Sequence, residues 1–122
     1  MGLDMYAYAT THTPAQAVDF PQPEALEEIH YWRKHPDLHG WMEALYRRKG
    51  GQDPDFDLSP VVLTPADLDA LESAVVDDLL PATEGFFFGA SDGSERDDDL
   101  AFIEKARTEI ALGKTVFYLA WW

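Results

Sequence analysis

The hydrophobic period of this chain switches repeatedly between two and three-to-four residues, and prolines mark several of the switches. Such a chain can be neither all helix nor all sheet, because a strand returns to one face every second residue and a helix every third or fourth. Leu3, Met5, Ala7 and Ala9 alternate with Asp4, Tyr6 and Tyr8, which predicts a half-buried strand. Residues 10–23 contain Pro14, Pro21 and Pro23 and read as a loop with Val18 and Phe20 tucked inward. Residues 24–34 fit both elements: Leu26, Ile29 and Trp32 suit a helix, whereas the run from Ile29 to Arg33 suits a strand. The residue before a proline avoids helical geometry, so His35-Pro36 imposes a boundary, and a strand over 28–33 is the reading adopted.

From Pro36 the period is helical. Pro36 suits the first helical position and Asp37 the positive helix end. Leu38, Trp41, Met42 and Leu45 form a buried stripe, Arg47, Arg48 and Lys49 complement the negative end, and Gly50 provides a left-handed cap. An acidic loop with Asp53, Asp55 and Asp57 leads to a short strand, Val61-Val62-Leu63. Thr64-Pro65-Ala66-Asp67 is a helix start with Asp67 as capping-box acid, followed by Leu68, Leu71, Val75 and Leu79 as far as Pro81. Phe86-Phe87-Phe88, between Gly85 and Gly89, reads as a short strand buried on both faces. Asp97-Asp98-Asp99 opens a third helix, with Leu100, Ile103, Ala106 and Ile110 on its buried face and Gly113 at its end. Residues 115–122, β-branched and aromatic, form the last strand. The sum is a single α+β domain over 1–122, a small antiparallel or mixed sheet of about four to five strands packed with about three helices.

Composition narrows the function classes. A chain of 122 residues, 46% hydrophobic, can bury a core without crosslinks, and the absence of cysteine removes disulfides, thiolate metal sites and cysteine nucleophiles. The apolar runs are far shorter than the roughly 20 residues a membrane-spanning helix needs. The start, Met1-Gly2-Leu3-Asp4, lacks the basic and apolar regions of a signal peptide, and Tyr6 stands where myristoylation requires Ser or Thr. The expectation is a cytoplasmic protein. Acidic residues outnumber basic ones 23 to 9, for a net charge of −14, which repels nucleic-acid phosphates and anionic membranes. The acidity serves solubility on one reading and imitates nucleic acid toward a phosphate-binding protein on the other.

Several landmarks together carry a resemblance. Gly2-Leu3-Asp4-Met5-Tyr6, Tyr31-Trp32-Arg33-Lys34 followed by His39 and Trp41, Leu80-Pro81 before Gly85-Phe86-Phe87-Phe88-Gly89, and an aromatic ending in Trp121-Trp122 occur in this order. The whole chain thereby resembles a group of small phage and prophage proteins of unknown function that begin the same way. His35-Pro36 stands where those proteins carry small or amide residues. The resemblance implies a phage or prophage accessory role in a bacterial host and no particular activity.

Two clusters are candidate sites. Tyr31, Trp32, Arg33 and Lys34, with His39 and Trp41, concentrate aromatic rings and cations in a cation-poor chain; Arg33 suits bidentate contact with a carboxylate or phosphate, or else pairs with a nearby acid. Asp53, Asp55, Asp57, Asp97, Asp98 and Asp99 are candidates for contact with a basic or nucleic-acid-binding protein partner. His30, His35 and His39 do not have metal-ligand spacing, since Pro36 makes His35 a cap, and no cofactor is expected. Ser59, Ser73, Ser91 and Ser94 lie in no nucleophile elbow, and Ser91-Asp92-Gly93-Ser94 reads as a turn. The leading expectation is a non-enzymatic acidic binding or inhibitor protein acting on a host or defence macromolecule. The alternatives are a small-molecule or nucleotide-binding protein or weak enzyme using a pocket around Arg33, Lys34 and His39, and an assembly protein that dimerises through its aromatic C-terminal strand.

Overall fold

A computed structural model describes residues 2–85 and 88–122. The elements are β1 (Asp4–Thr10), β2 (Glu27–Arg33), α1 (Pro36–Arg48), β3 (Val61–Leu63), α2 (Pro65–Val76), α3 (Arg96–Ala111) and β4 (Thr115–Trp121). The four strands form one antiparallel sheet in the order β2-β1-β4-β3, so the fold is α+β, as the switching periodicity requires.

The sheet has one helix-covered face. Leu3, Met5, Ala7 and Ala9 point to it from the β1 segment and Val116, Tyr118 and Ala120 from β4; Leu38 and Met42 of α1, Leu68 and Leu71 of α2, and Phe102 and Ile103 of α3 close over them. Alanines in the middle of the central strand make room for large neighbours: Ala7 lies between His30 on β2 and Tyr118 on β4. Phe20 and Leu26, from the proline-rich segment, cover part of the opposite face over Phe117 and Leu119. Tyr31 and Trp121 stay exposed on that face, beside Tyr6.

The ambiguity of residues 24–34 has a structural cause. The β1–β2 register slips between Ala7 and Tyr8, and Ile29 is the extra residue of a bulge on β2. The bulge lets Ile29 and Trp32, three apart in sequence, both pack against the core from one strand, which mimics a helical spacing.

Two expectations need correction. Helix α2 stops at Val76 rather than running to Pro81: Asp77 caps it, Asp78 turns left-handed (φ 57°), and Leu79 is exposed. Phe88 is buried but lies in no strand, and Phe86 and Phe87 lie outside the described residues. The C-terminal strand is internal to the sheet, bonded to β1 on one side and to β3 along Val116–Tyr118 on the other, with Trp121 and Trp122 exposed at its end.

Candidate functional site

Helix α1 begins without a cap of its own. His35 precedes Pro36 and is held out of helical geometry (φ −110°, ψ 73°), and its side chain makes no bond to the first turn. The cap comes from a distant part of the chain instead: Ser91 Oγ accepts the Asp37 backbone N–H at 3.1 Å. Ser91 sits in a loop bracketed by two glycines in left-handed conformations, Gly89 (φ 76°) and Gly93 (φ 89°), which fold the loop back onto the helix start.

Freed from capping, the imidazole of His35 turns inward and is buried. Its Nδ1 lies 2.6 Å from Ser91 Oγ and its Nε2 lies 2.8 Å from Asp99 Oδ2. Asp99, in the first turn of α3, is itself buried and accepts a second bond on Oδ1 from the Trp32 indole N–H at 3.0 Å. Three elements and a loop thus converge on one chain of contacts, Ser91–His35–Asp99–Trp32. Burial pulls the His35 pKa down, but the hydrogen bond and charge of Asp99, together with Glu95 and Asp37, raise it overall. A carboxylate accepts and does not donate, so in the neutral ring Nε2 carries the proton and Nδ1 accepts from the Ser91 hydroxyl.

This chain of contacts opens onto a cleft of about 350 Å³ between the start of α1, the end of α2 and the start of α3. Asp37, Asp78 and Glu95 line it with His35 and Ser91, and Arg96 is the one cation among its lining residues. Asp77 and Asp78 stand at the C-terminal end of α2, whose last turn carries no basic residue, where the helix dipole disfavours negative charge.

The candidates read from sequence fall in several places. Trp32 joins the cleft chemistry through Asp99. Tyr31 donates to Asp4 at 2.6 Å on the open face of the sheet, and Arg33 lies 3.9 Å from the same carboxylate. Lys34 adopts a left-handed backbone (φ 55°), donating its N–H to Leu3. His39 is buried in the core, stacked on Phe56 at 5.0 Å, with Nδ1 2.7 Å from the Tyr118 hydroxyl. Burial lowers its pKa to about 4, so the ring is neutral at ordinary pH. Trp41 is half-buried against the core.

The acidic candidates also divide. Asp53 organises its own loop, accepting from Asp55 N–H, Asp57 N–H and the Ser59 hydroxyl. Asp57 accepts the Trp122 N–H, and Asp55 is exposed. Asp97 and Asp98 are exposed, Asp98 with its carboxylate 3.0 Å from His30 Nε2. Asp99 is the correction: it is an internal ligand of His35 and Trp32 rather than a surface acid, because it lies on the inward side of α3. The three histidines from 30 to 39 reach different partners, and among the described residues no group of three acids and histidines is placed to hold a metal ion.

His35, Ser91 and Asp99 escaped sequence reasoning as a set because 56 and 64 residues separate the partners. The only local signal was His-Pro at a helix start with no capping side chain. Comparison of the chain with protein-family models, with curated proteins and with solved structures returns no match.

Proposed function

We propose that the chain is a phage or prophage accessory protein of the host cytoplasm that binds a basic, nucleic-acid-binding protein and inhibits it. The observation that carries this reading is where the acids stand. Asp77 and Asp78 occupy the helix end at which negative charge is least favourable, and Asp78 lines a cleft together with Asp37, Glu95 and Arg96. Helix stability does not select such a placement, whereas a partner's lysines or arginines relieve it on contact. A net charge of −14 also favours a cationic protein over nucleic acid and accelerates its encounter. Among the described residues no helix is long and apolar enough to cross a membrane, which leaves a freely diffusing encounter as the simplest mode.

The test uses host DNA-binding proteins enriched on a heparin matrix. Immobilised wild-type chain should retain a discrete protein from this fraction at low salt, release it at high salt, and lose it to competing duplex DNA. A double variant, Asp77→Asn with Asp78→Asn, should retain clearly less while melting no lower. Equal retention by wild type and variant, or none by either, refutes the reading.

A further inference from the structure

We propose that Ser91, His35 and Asp99 form a nucleophilic hydrolase site that cleaves small carboxylic esters carrying a positive charge. This is independent of the partner-binding reading and stands or falls without it.

A purely structural role would require little of this arrangement. To cap α1, Ser91 needs only the Asp37 N–H that its Oγ accepts. It does not need a base, yet His35 Nδ1 lies 2.6 Å from the same oxygen. Nor does a cap need that base to be oriented, yet Asp99 holds the opposite ring nitrogen at 2.8 Å and is itself fixed by the Trp32 indole. Burying such a polar chain is a poor way to stabilise a fold, since well-packed apolar side chains of similar volume do as well or better. Nucleophile, base and orienting carboxylate in hydrogen-bonded series are the recognisable parts of serine hydrolysis, whatever their order in the chain.

The surroundings suit the chemistry. Ser91 and His35 line the cleft, so a substrate carbonyl can approach Oγ. The N-terminus of α1, whose Asp37 N–H is donated to Ser91 Oγ, sets the positive end of a helix dipole beside the nucleophile, where negative charge develops during attack. Asp37, Asp78 and Glu95 make the cleft electronegative, which selects a cationic substrate over an anionic one.

The step balances without a further reactant. Ser91 Oγ attacks the ester carbonyl carbon, and its proton passes to His35 Nδ1. The imidazolium so formed lies between Asp99 and Glu95, whose carboxylate is 3.6 Å from Nδ1. The tetrahedral intermediate collapses, its C–O bond to the alcohol breaks, and His35 returns the proton to the departing alcohol. Water, deprotonated by His35, then attacks the acyl–Ser91 ester and releases the carboxylic acid, and Ser91 regains its proton.

The deciding experiment treats the purified chain with a fluorophosphonate probe, which phosphonylates an activated serine with loss of fluoride. Intact mass and peptide mapping should show a single adduct at Ser91. Ser91→Ala should abolish it, and His35→Gln should slow it at least about tenfold. Absence of an adduct at Ser91 in the folded wild-type chain overturns the proposal.

A second variant guards against loss of the α1 cap. Ser91→Cys introduces the only thiol in a chain that has none. Its alkylation by iodoacetamide should follow a thiolate forming well below the ordinary value of about 8.5, and adding His35→Gln should move that profile back up. An ordinary thiol profile, or one unchanged by His35→Gln, overturns the proposal too.

Discussion

Acidification should destabilise this protein through His39, and the size of the effect follows from its burial. The ring is enclosed by Phe56, Phe88 and Tyr118, and its pKa falls from 6.5 to about 4. In the unfolded chain the imidazole regains its ordinary pKa, so between those two values the unfolded state binds more protons than the folded one. Stability therefore rises with pH across this window, and it is lost as pH falls from about 6.5 toward about 4. Each pH unit is worth about 1.4 kcal/mol, so the full contribution is about 3 kcal/mol, a large share of the total for a domain of this size. His39→Gln keeps an acceptor for the Tyr118 hydroxyl but cannot take the proton. Urea titrations followed by tryptophan fluorescence, at half-unit steps from pH 4 to 7, give the unfolding free energy of both chains. The carboxylates titrate in both, so the difference isolates His39. Wild type should lose about 3 kcal/mol more than the variant across the window. Parallel curves would refute the claim that this histidine is buried neutral.

Further outcomes follow from the same geometry. His35 has the opposite sign: its raised pKa means that its contribution is complete below about 6.5 and is lost as pH rises through the folded value, so the deficit of His35→Gln in urea titrations should narrow at alkaline pH. Trp32→Phe removes the indole N–H from the buried Asp99 carboxylate and should lower the unfolding free energy by about 2 kcal/mol in the same assay. Thr64→Ala removes the hydroxyl that caps α2 at Asp67 N–H and should cost about 1 kcal/mol, read as a lower melting temperature by circular dichroism. Leu71→Ala, at a fully buried position under the sheet, should cost about 2–5 kcal/mol, and a loss below 1 kcal/mol would contradict the packing described.

Element existence was legible from local rules. The helix start at Thr64 has both halves of its capping box, Gly50 and Gly113 are left-handed as helix ends require, and the alternation through Met5 and Ala7 is a strand with those residues inside. Where the reading failed, the tertiary context of the segment, not its local period, decided the outcome. Leu79 continues a helical spacing but is exposed, because the chain turns away at Asp78. Ile29 looked helical because a bulge against β1 changed the strand's period.

The candidate site divides the same way. The acidity was plain from composition, but Asp97, Asp98 and Asp99 are identical in sequence and differ in fate. A helix turns about 100° per residue, so only one of three neighbours can face inward, and the packing of α3 against β2 selects Asp99. His35 read as a helix boundary, which it is, and Ser91 as a turn residue, whereas it lies in the loop just ahead of the turn at Ser94 and Glu95. Periodicity, capping and turn chemistry act over a few residues, and at that range the sequence by itself determined most of the helices and strands and the sign of the net charge. The meeting of Ser91, His35, Asp99 and Trp32 in one hydrogen-bonded line was decided by the tertiary structure alone, because their bonds span 56 to 67 residues and no local interaction encodes a partner that far away.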